Sequence, residues 1–337
     1  MKTFAFLFNP VELKHIREFW PLTHLMPEFM LKTFLKNQGF KISPLKTFTS
    51  SQDQQVQGYF LVSPLLPEQD GGPGEELLLD KIITASFLAR DLGAGLLGLG
   101  GYAQAVAEKK SMLYKHLKVP VTLGTNFTAW SAIEALYRIA DSKKIELKKS
   151  TLCVSGATGA VGSLCCQKLA REFSKTIITA GQKDKLTEFV AVLERMGVPN
   201  VEVQTDVNRA IAGAEVVIVS GTGVDPHFSP DDLKAGAVVI DMCLSRHLAG
   251  MAHHRTDVTV INGGIIKLPP QKHGHIHVGL PKDMILASMA ETMLLALEDK
   301  ITLPATGETG NIEKLEPLAD LAVRHGFEVY VPDAPLG

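Results

Sequence analysis

The stretch TLCVSGATGAVGSLCCQKLA, residues 151–170, limits the fold of this chain more than any other. An apolar run leads into three glycines, Gly156, Gly159 and Gly162, and a run of small and apolar residues follows. The first part predicts a strand, the last a helix, and the glycines a tight turn between them. Such a turn suits a phosphate for three reasons. One glycine permits the turn, one lets the backbone approach the pyrophosphate, and one lets the helix pack on its strand. The helix N-terminus then offers free N–H groups and a partial positive charge. The spacing, G-x-x-G-x-x-G, is a variant of the commoner dinucleotide fingerprint, and only its context gives it weight.

That context is an alternation. TLCVSG, KTIITA, VEVQT, AEVVIVSG, AVVIDMC and VTVING read as strands; VGSLCCQKLAREF, KLTEFVAVLERMG, DVNRAIAG and SPDDLKAG read as the helices between them. Near-continuous β-branched strands alternating with helices predict a parallel sheet covered on both faces, a doubly wound Rossmann-like domain. The N-terminal part is less regular. It has apolar runs at FAFLF, VQGYFLVSPLL and GAGLLGLGG, a helical stretch at ELLLDKIITASFLARDLG, and a loop over 67–76. TNFTAWSAIEALYRIADSK has helical spacing and bridges the two parts, and MILASMAETMLLALED and NIEKLEPLADLAVRHGFEV predict two helices near the C-terminus. The expected architecture is α/β. It comprises a smaller N-terminal α/β substrate domain over 1–128, an NAD(P)-binding Rossmann-like domain over 129–283, and C-terminal helices over 284–337 packing back on the cleft.

The cofactor expectation follows residue by residue. Gly156, Ala157, Thr158, Gly159, Ala160, Val161 and Gly162 would hold the pyrophosphate, with Ser220, Gly221 and Gly263 at the ends of later strands completing the set. An NAD site usually has an acid after its second strand, for the ribose 2′-hydroxyl. Here the positions are Gly181, Gln182 and Lys183, with Asp184 one place late. A lysine there favours a 2′-phosphate, so NADP is favoured over NAD.

With 337 residues the chain can bury two cores, and 45% hydrophobic with 21% charged residues is the balance of a globular protein. A net charge of -2 gives no electrostatic footprint for nucleic acid or an anionic membrane. MKTFAFLFNP lacks the apolar core and cleavage site of a secretory signal, and no window is apolar for the length of a membrane span. A cytoplasmic protein is expected. Its four cysteines, at 153, 165, 166 and 243, have no zinc-site spacing and read as reduced thiols, with no metal expected. His273, His275 and His277 alternate in KHGHIH and read best as a polar loop at the cleft edge, with one of them open as a proton donor.

Several motifs together resemble one family. GATGAVGS, GLGGYAQ (98–104), TLGTNFTAW (122–130), VINGG (260–264), MAETMLLALE (289–298) and VRHGF (323–327) are similar, in order and spacing, to long-chain acyl-carrier-protein reductases. Wider likenesses are to shikimate-dehydrogenase-like and glutamyl-tRNA-reductase-like proteins. The resemblance implies reduction of a fatty acyl thioester to an aldehyde with NADPH, acyl carrier protein as a partner, and a nucleophilic cysteine in a Cys-x-Ala-Glu motif. This chain reads Ser288-Met289-Ala290-Glu291, so the glutamate matches and the cysteine does not.

A serine hydroxyl is a weak nucleophile unless a base activates it, and a lone carboxylate at i+3 is a poor base for it. Covalent chemistry through Ser288 is therefore disfavoured. Cys243, after the fifth strand, is the alternative thiol, against the simpler reading of a small buried residue. Asp241 would orient a ligand or cap a turn. Asn126 would line the cleft or cap the helix, as would Tyr102 and Thr128. A carbonyl held between Asn126, Asp241 and the 284–299 helix, with hydride transfer and no covalent intermediate, is the favoured arrangement. Two other functions stay open: a dehydrogenase of a small hydroxy, keto or imine compound, and a cofactor-binding regulatory protein without catalysis. A homo-oligomer is compatible with the sequence.

Overall fold

The computed structural model describes residues 2–10, 16–17, 19–27, 30–31, 34–35, 38–66, 73–221, 228–243, 248–271, 280–299 and 310–332. The loop with His273, His275 and His277 lies outside them. Tertiary contacts divide the chain into two units, one of residues 1–124, 267–309 and 320–328, the other of residues 125–266, 310–319 and 329–337.

In the first unit, β1 (Lys2–Asn9), β2 (Lys41–Pro44), β3 (Phe48–Thr49), β4 (Gln55–Val62), β5 (Leu96–Gly101) and β6 (Val121–Thr122) form one sheet. Its order is β2-β4-β1-β5-β6, with β3 also on β4; β4, β1, β5 and β6 run parallel, and β2 and β3 are antiparallel. The alternation of a strand sorts β1 into two faces. Ala5 and Leu7 share a core with Leu61, Leu97 and Leu99, covered by α1 (Pro73–Asp91) and α2 (Tyr102–Glu108). In α1 the stripe Leu78, Ile82, Ala85 and Ala89 is fully buried. Phe4 and Phe6 point the other way. On that face the glycines Gly98 and Gly100 of β5 make room for the ring of Phe6.

The second unit begins with α3 (Thr125–Lys143) and continues through β7 (Thr151–Ser155), α4 (Ala160–Leu169), β8 (Lys175–Thr179), α5 (Lys183–Arg195), β9 (Val201–Val203), α6 (Val207–Ala212), β10 (Val216–Val219), β11 (Val238–Asp241), α7 (Leu248–Met251) and β12 (Thr259–Asn262). All six strands are parallel, in the order β12-β11-β10-β7-β8-β9. Renumbered from β7, this is 3-2-1-4-5-6, the doubly wound Rossmann order, in which ligands gather outside the carboxyl ends of the strands. α6 and α7 cover one face through Cys153, Val217 and Val239.

Three stretches differ from their sequence reading. SPDDLKAG forms only a short 3-10 turn over Pro230–Asp232, capped by the Ser229 hydroxyl, and the chain is extended again at Leu233. Of the residues from Pro230 to Gly236 only Pro230 and Leu233 are buried, too few to hold an amphipathic helix. Met284–Leu286, read as the start of a helix, is a strand instead. After β13 (Ile265–Lys267) it forms β14, and helix α8 (Ala287–Leu297) follows it directly. Burial alternates through β14 with Ile285 inside, then becomes continuous along α8. The last described elements come from NIEKLEPLADLAVRHGFEV, which is not one helix but a 3-10 turn (Ile312–Lys314), α9 (Leu315–His325) and, after Gly326 at φ +77°, β15 (Glu328–Val329).

Candidate functional site

At the end of β7 the backbone turns sharply. Gly156 has φ +79°, and a Cβ there would fall on the carbonyl oxygen of Ser220, so only glycine fits. Ser220 follows the neighbouring strand β10, and its N–H donates to Ser155 O at 2.8 Å. Gly162, in the first turn of α4, packs so close that a Cβ would meet the Gly156 carbonyl oxygen. Gly159 is different. Its φ is -76°, it is exposed, and a Cβ would find only Gly156 O, at 3.3 Å. The fold does not need a glycine at this position; a bare backbone here keeps open the space in front of the helix.

That space faces donors. No side chain caps α4, and the first N–H groups of a helix (here Ala160, Val161 and Gly162) have no acceptor within it. Thr179 O, at the end of β8, accepts from Gly156 N–H at 2.8 Å and Ala157 N–H at 3.1 Å. Thr158 is half-buried between them and Gly159. The chain leaving β8 therefore starts beside the loop, and Gln182 and Lys183 follow it, both exposed, with Lys183 opening α5. This donor set fits a dinucleotide: N–H groups and a helix dipole for the pyrophosphate, an amide and an ammonium for the ribose end.

The carboxyl ends of β11 and β12 lie farther along the same edge. Asp241 is fully buried, and its Oδ1 accepts from Cys243 N–H at 2.9 Å. Gly263 N–H donates to Asp241 O at 2.8 Å, and Gly221, after Ser220, is exposed. Burial first, and the neighbouring Asp241 carboxylate second, push the Cys243 thiol far above its ordinary range. Burial pushes Cys153 and Cys165 up to about 12, and Cys166 well above its usual value. Asn126, near the start of α3, accepts from Asn311 N–H through Oδ1 at 2.7 Å and so holds residues 310–311.

In the first unit, Ser288 and Glu291 lie one turn apart on α8. Gly124 has φ +66°, and a Cβ on it would fall on Ser288 Cα and Cβ; one on Gly98 would fall on the Thr292 hydroxyl. α8 is thus seated hard against β5 and the turn after β6. Ser288 is 6% exposed and Glu291 3%. The Glu291 carboxylate accepts from Thr122 Oγ1 at 2.5 Å, and Thr122 Oγ1 accepts in turn from Gly124 N–H at 3.2 Å. The Thr292 hydroxyl donates to Ser288 O at 2.9 Å. Sequence reasoning missed Thr122, Gly124 and Thr292. Glu291 and Thr122 are 169 positions apart, so no local pattern links them; the run TLGT was the only trace. Among the described residues no group of three or more His, Cys, Asp or Glu could hold a metal ion, and no helix is long and apolar enough to cross a membrane.

No family model matches the chain. It is similar to a long-chain acyl-[acyl-carrier-protein] reductase of Synechococcus elongatus, 26% identical over 297 residues, covering 84% of this chain and 85% of the reductase. It is also similar to the aminotransferase PigE of a Serratia species, 28% identical over 287 residues. That match covers 84% of this chain but 33% of PigE, so the chain spans about a third of that relative's length. Among solved structures, L-tryptophan dehydrogenase from Nostoc punctiforme aligns with a TM-score of 0.42 at 11% identity, over 95% of this chain and 80% of the dehydrogenase.

Proposed function

We propose that this chain is an NADP-dependent oxidoreductase that transfers a hydride to a carbonyl, with an acyl thioester as substrate and an aldehyde and a free thiol as products. The observation that carries the reading is the uncapped N-terminus of α4 behind the bare Gly159, with Lys183 rather than an acid at the ribose end. The likeness to a long-chain acyl-[acyl-carrier-protein] reductase supports the thioester.

The nicotinamide supplies the hydride when the cofactor is bound. The first N–H groups of α4 bind the pyrophosphate, and Gln182 and Lys183 take the ribose and its 2′-phosphate. Asp241 fixes the Met242–Cys243 turn at the strand ends through Cys243 N–H. Ser288 donates its hydroxyl to the carbonyl oxygen and forms no bond to the acyl group. A serine needs an adjacent base to attack, and the Glu291 carboxylate is already held by Thr122. Cys243 stays a neutral thiol and takes no part as nucleophile. Glu291 and Asn126 position: the first holds α8 against the Gly124 turn, the second holds residues 310–311.

Ser288 also favours a second reading, a dehydrogenase of a small hydroxy, keto or imine compound, because plain hydride transfer needs no nucleophile. NADPH oxidation against acyl thioesters, aldehydes and keto acids separates the two. Turnover of long acyl thioesters is the expected result. Turnover of small keto acids alone transfers the assignment to the second reading, and NADPH binding with no turnover of any substrate leaves a cofactor-binding protein without catalysis.

A further inference from the structure

The chain as a whole is slightly acidic, yet residues 109–118 read KKSMLYKHLK, and no Asp or Glu occurs from 109 to 133. This segment runs from the end of α2 through a 3-10 turn, Ser111–His116, toward β6. The buried side chain of Leu113 anchors the turn. The other side carries Met112, 62% exposed, between Lys110 and Lys115, both exposed. Past the turn, Lys118 Nζ lies 5.2 Å and the Arg90 guanidinium 5.1 Å from the ring centre of Phe87 of α1, which is 37% exposed. Two cations of this surface have carboxylates: Lys109 faces Glu75 at 4.0 Å and Arg90 faces Asp91 at 2.8 Å. Among the described residues, Lys110, Lys115 and Lys118 have no carboxylate within ion-pair distance.

Like charges crowded without counter-charges repel one another, and an exposed methionine and phenylalanine among them cost further hydration. A partner with an acidic, partly apolar face relieves both. Methionine, aromatic and arginine side chains are enriched at protein interfaces, and a basic surface complements an acidic one. A nucleic acid would meet the net negative charge of the rest of the chain. The surface is also near the residues of α8. Lys118 precedes Thr122 by four positions, at most about 14 Å of extended chain, and Thr122 donates to Glu291.

We propose that this surface docks an acidic protein, the carrier that presents the acyl thioester. The partner's identity rests on the thioester reading above; the docking surface rests on its own charge and exposure.

The test uses the full chain with Lys110→Glu/Lys115→Glu and, separately, Met112→Ala, all at exposed positions. The same acyl chain is offered as a thioester of acyl carrier protein and of uncharged pantetheine. Binding of fluorescent acyl carrier protein is measured in parallel by anisotropy. The double variant should lose about tenfold in kcat/KM and in affinity with the carrier, while pantetheine thioester turnover stays within about twofold. Met112→Ala should lose about threefold with the carrier only, and the wild-type preference for the carrier should fall as salt rises. Equal losses on both thioesters, or no loss on either, overturn the proposal. So does a loss confined to binding of a DNA duplex or of anionic phospholipid vesicles. If the wild-type chain binds NADPH but turns over neither thioester, the thioester reading fails. Carrier binding by anisotropy then still decides the surface: charge-dependent binding upholds it and absence of binding overturns it.

Discussion

The glycine loop of the second unit and the α8 site of the first are built on opposite principles. The loop is a matter of backbone: Gly156 and Gly162 shape the turn, Gly159 leaves the space before it open, and in the proposed function it is N–H groups that bind. The α8 site acts through side chains brought together from far apart, Thr122 and Gly124 on one side, Ser288, Glu291 and Thr292 on the other. A backbone site leaves a short-range signature because the constraint is local. A side-chain site assembled by packing leaves almost none.

The largest expected effect sharpens the first half of this comparison. Gly156→Ala places a Cβ on the Ser220 carbonyl at a φ of +79°. The expected loss is about 3–5 kcal/mol of stability, read by denaturant unfolding. Gly159→Leu should do the reverse. Its backbone suits any residue and its surroundings are open. NADPH affinity should fall about a hundredfold, about 2.7 kcal/mol, with the thermal midpoint unchanged. Unchanged NADPH affinity in this variant would remove the pyrophosphate from the loop. If both variants unfold alike, the distinction between a glycine for folding and a glycine for the ligand disappears.

The α8 half is tested by Thr122→Val. The Glu291 carboxylate then loses its hydroxyl donor inside the protein, and Gly124 N–H loses its acceptor. Losing a buried hydrogen bond to a carboxylate costs about 2 kcal/mol, so stability should fall by that order. Combining it with Glu291→Leu should cost less than the sum, because the two residues share one interaction. Strict additivity in denaturant unfolding would mean that the pair is not coupled.

Much of the second unit was legible in advance. Five of the six strands stand where the apolar, β-branched runs put them, since parallel strands buried on both faces must be apolar throughout; β9, Val201–Val203, is an edge strand with Glu202 and Val203 exposed. TNFTAWSAIEALYRIADSK is α3 from end to end. Less of the first unit was legible. β3 and β6 have two residues each, too few to show alternation, and α2 begins at Tyr102 inside a glycine run that breaks any periodic signal. β14 was lost for another reason: Met284–Leu286 continues the apolar run of α8, and only burial separates strand from helix. Of the candidate site, the glycines and Lys183 are proposed from local pattern, and Ser288 and Glu291 through the family resemblance. Their hydrogen-bond partners could not be read.

A smaller effect concerns the ribose end. Lys183 is exposed at the first position of α5, beside the strand whose Thr179 O the loop holds. Lys183→Glu should weaken NADPH about tenfold and leave NADH nearly unchanged, about 1.4 kcal/mol of discrimination. Fluorescence titration with both cofactors measures it. An equal effect on the two would take the 2′-phosphate away from Lys183.

Ser288→Cys should have the smallest effect, and it bears on the side-chain half of the comparison. The Cα and Cβ of Ser288 rest on Gly124, and its carbonyl, not its side chain, accepts from Thr292. Exchanging hydroxyl for thiol leaves both contacts in place, so stability should change by less than about 1 kcal/mol. The chemistry is the sharper readout. A thiol in the first turn of a helix is drawn toward thiolate by the helix dipole, while burial opposes it. If Ser288 only donates a hydrogen bond, the native chain carries no acyl mass after incubation with thioester, and the variant reduces it at a rate within about threefold of native. An acyl adduct on native Ser288 or Cys243, found by intact-mass and peptide analysis, overturns the non-covalent reading. An adduct on the introduced thiol of the variant alone, with no gain in aldehyde formation, upholds it, because the nucleophile would then add nothing that hydride transfer in the native chain lacks.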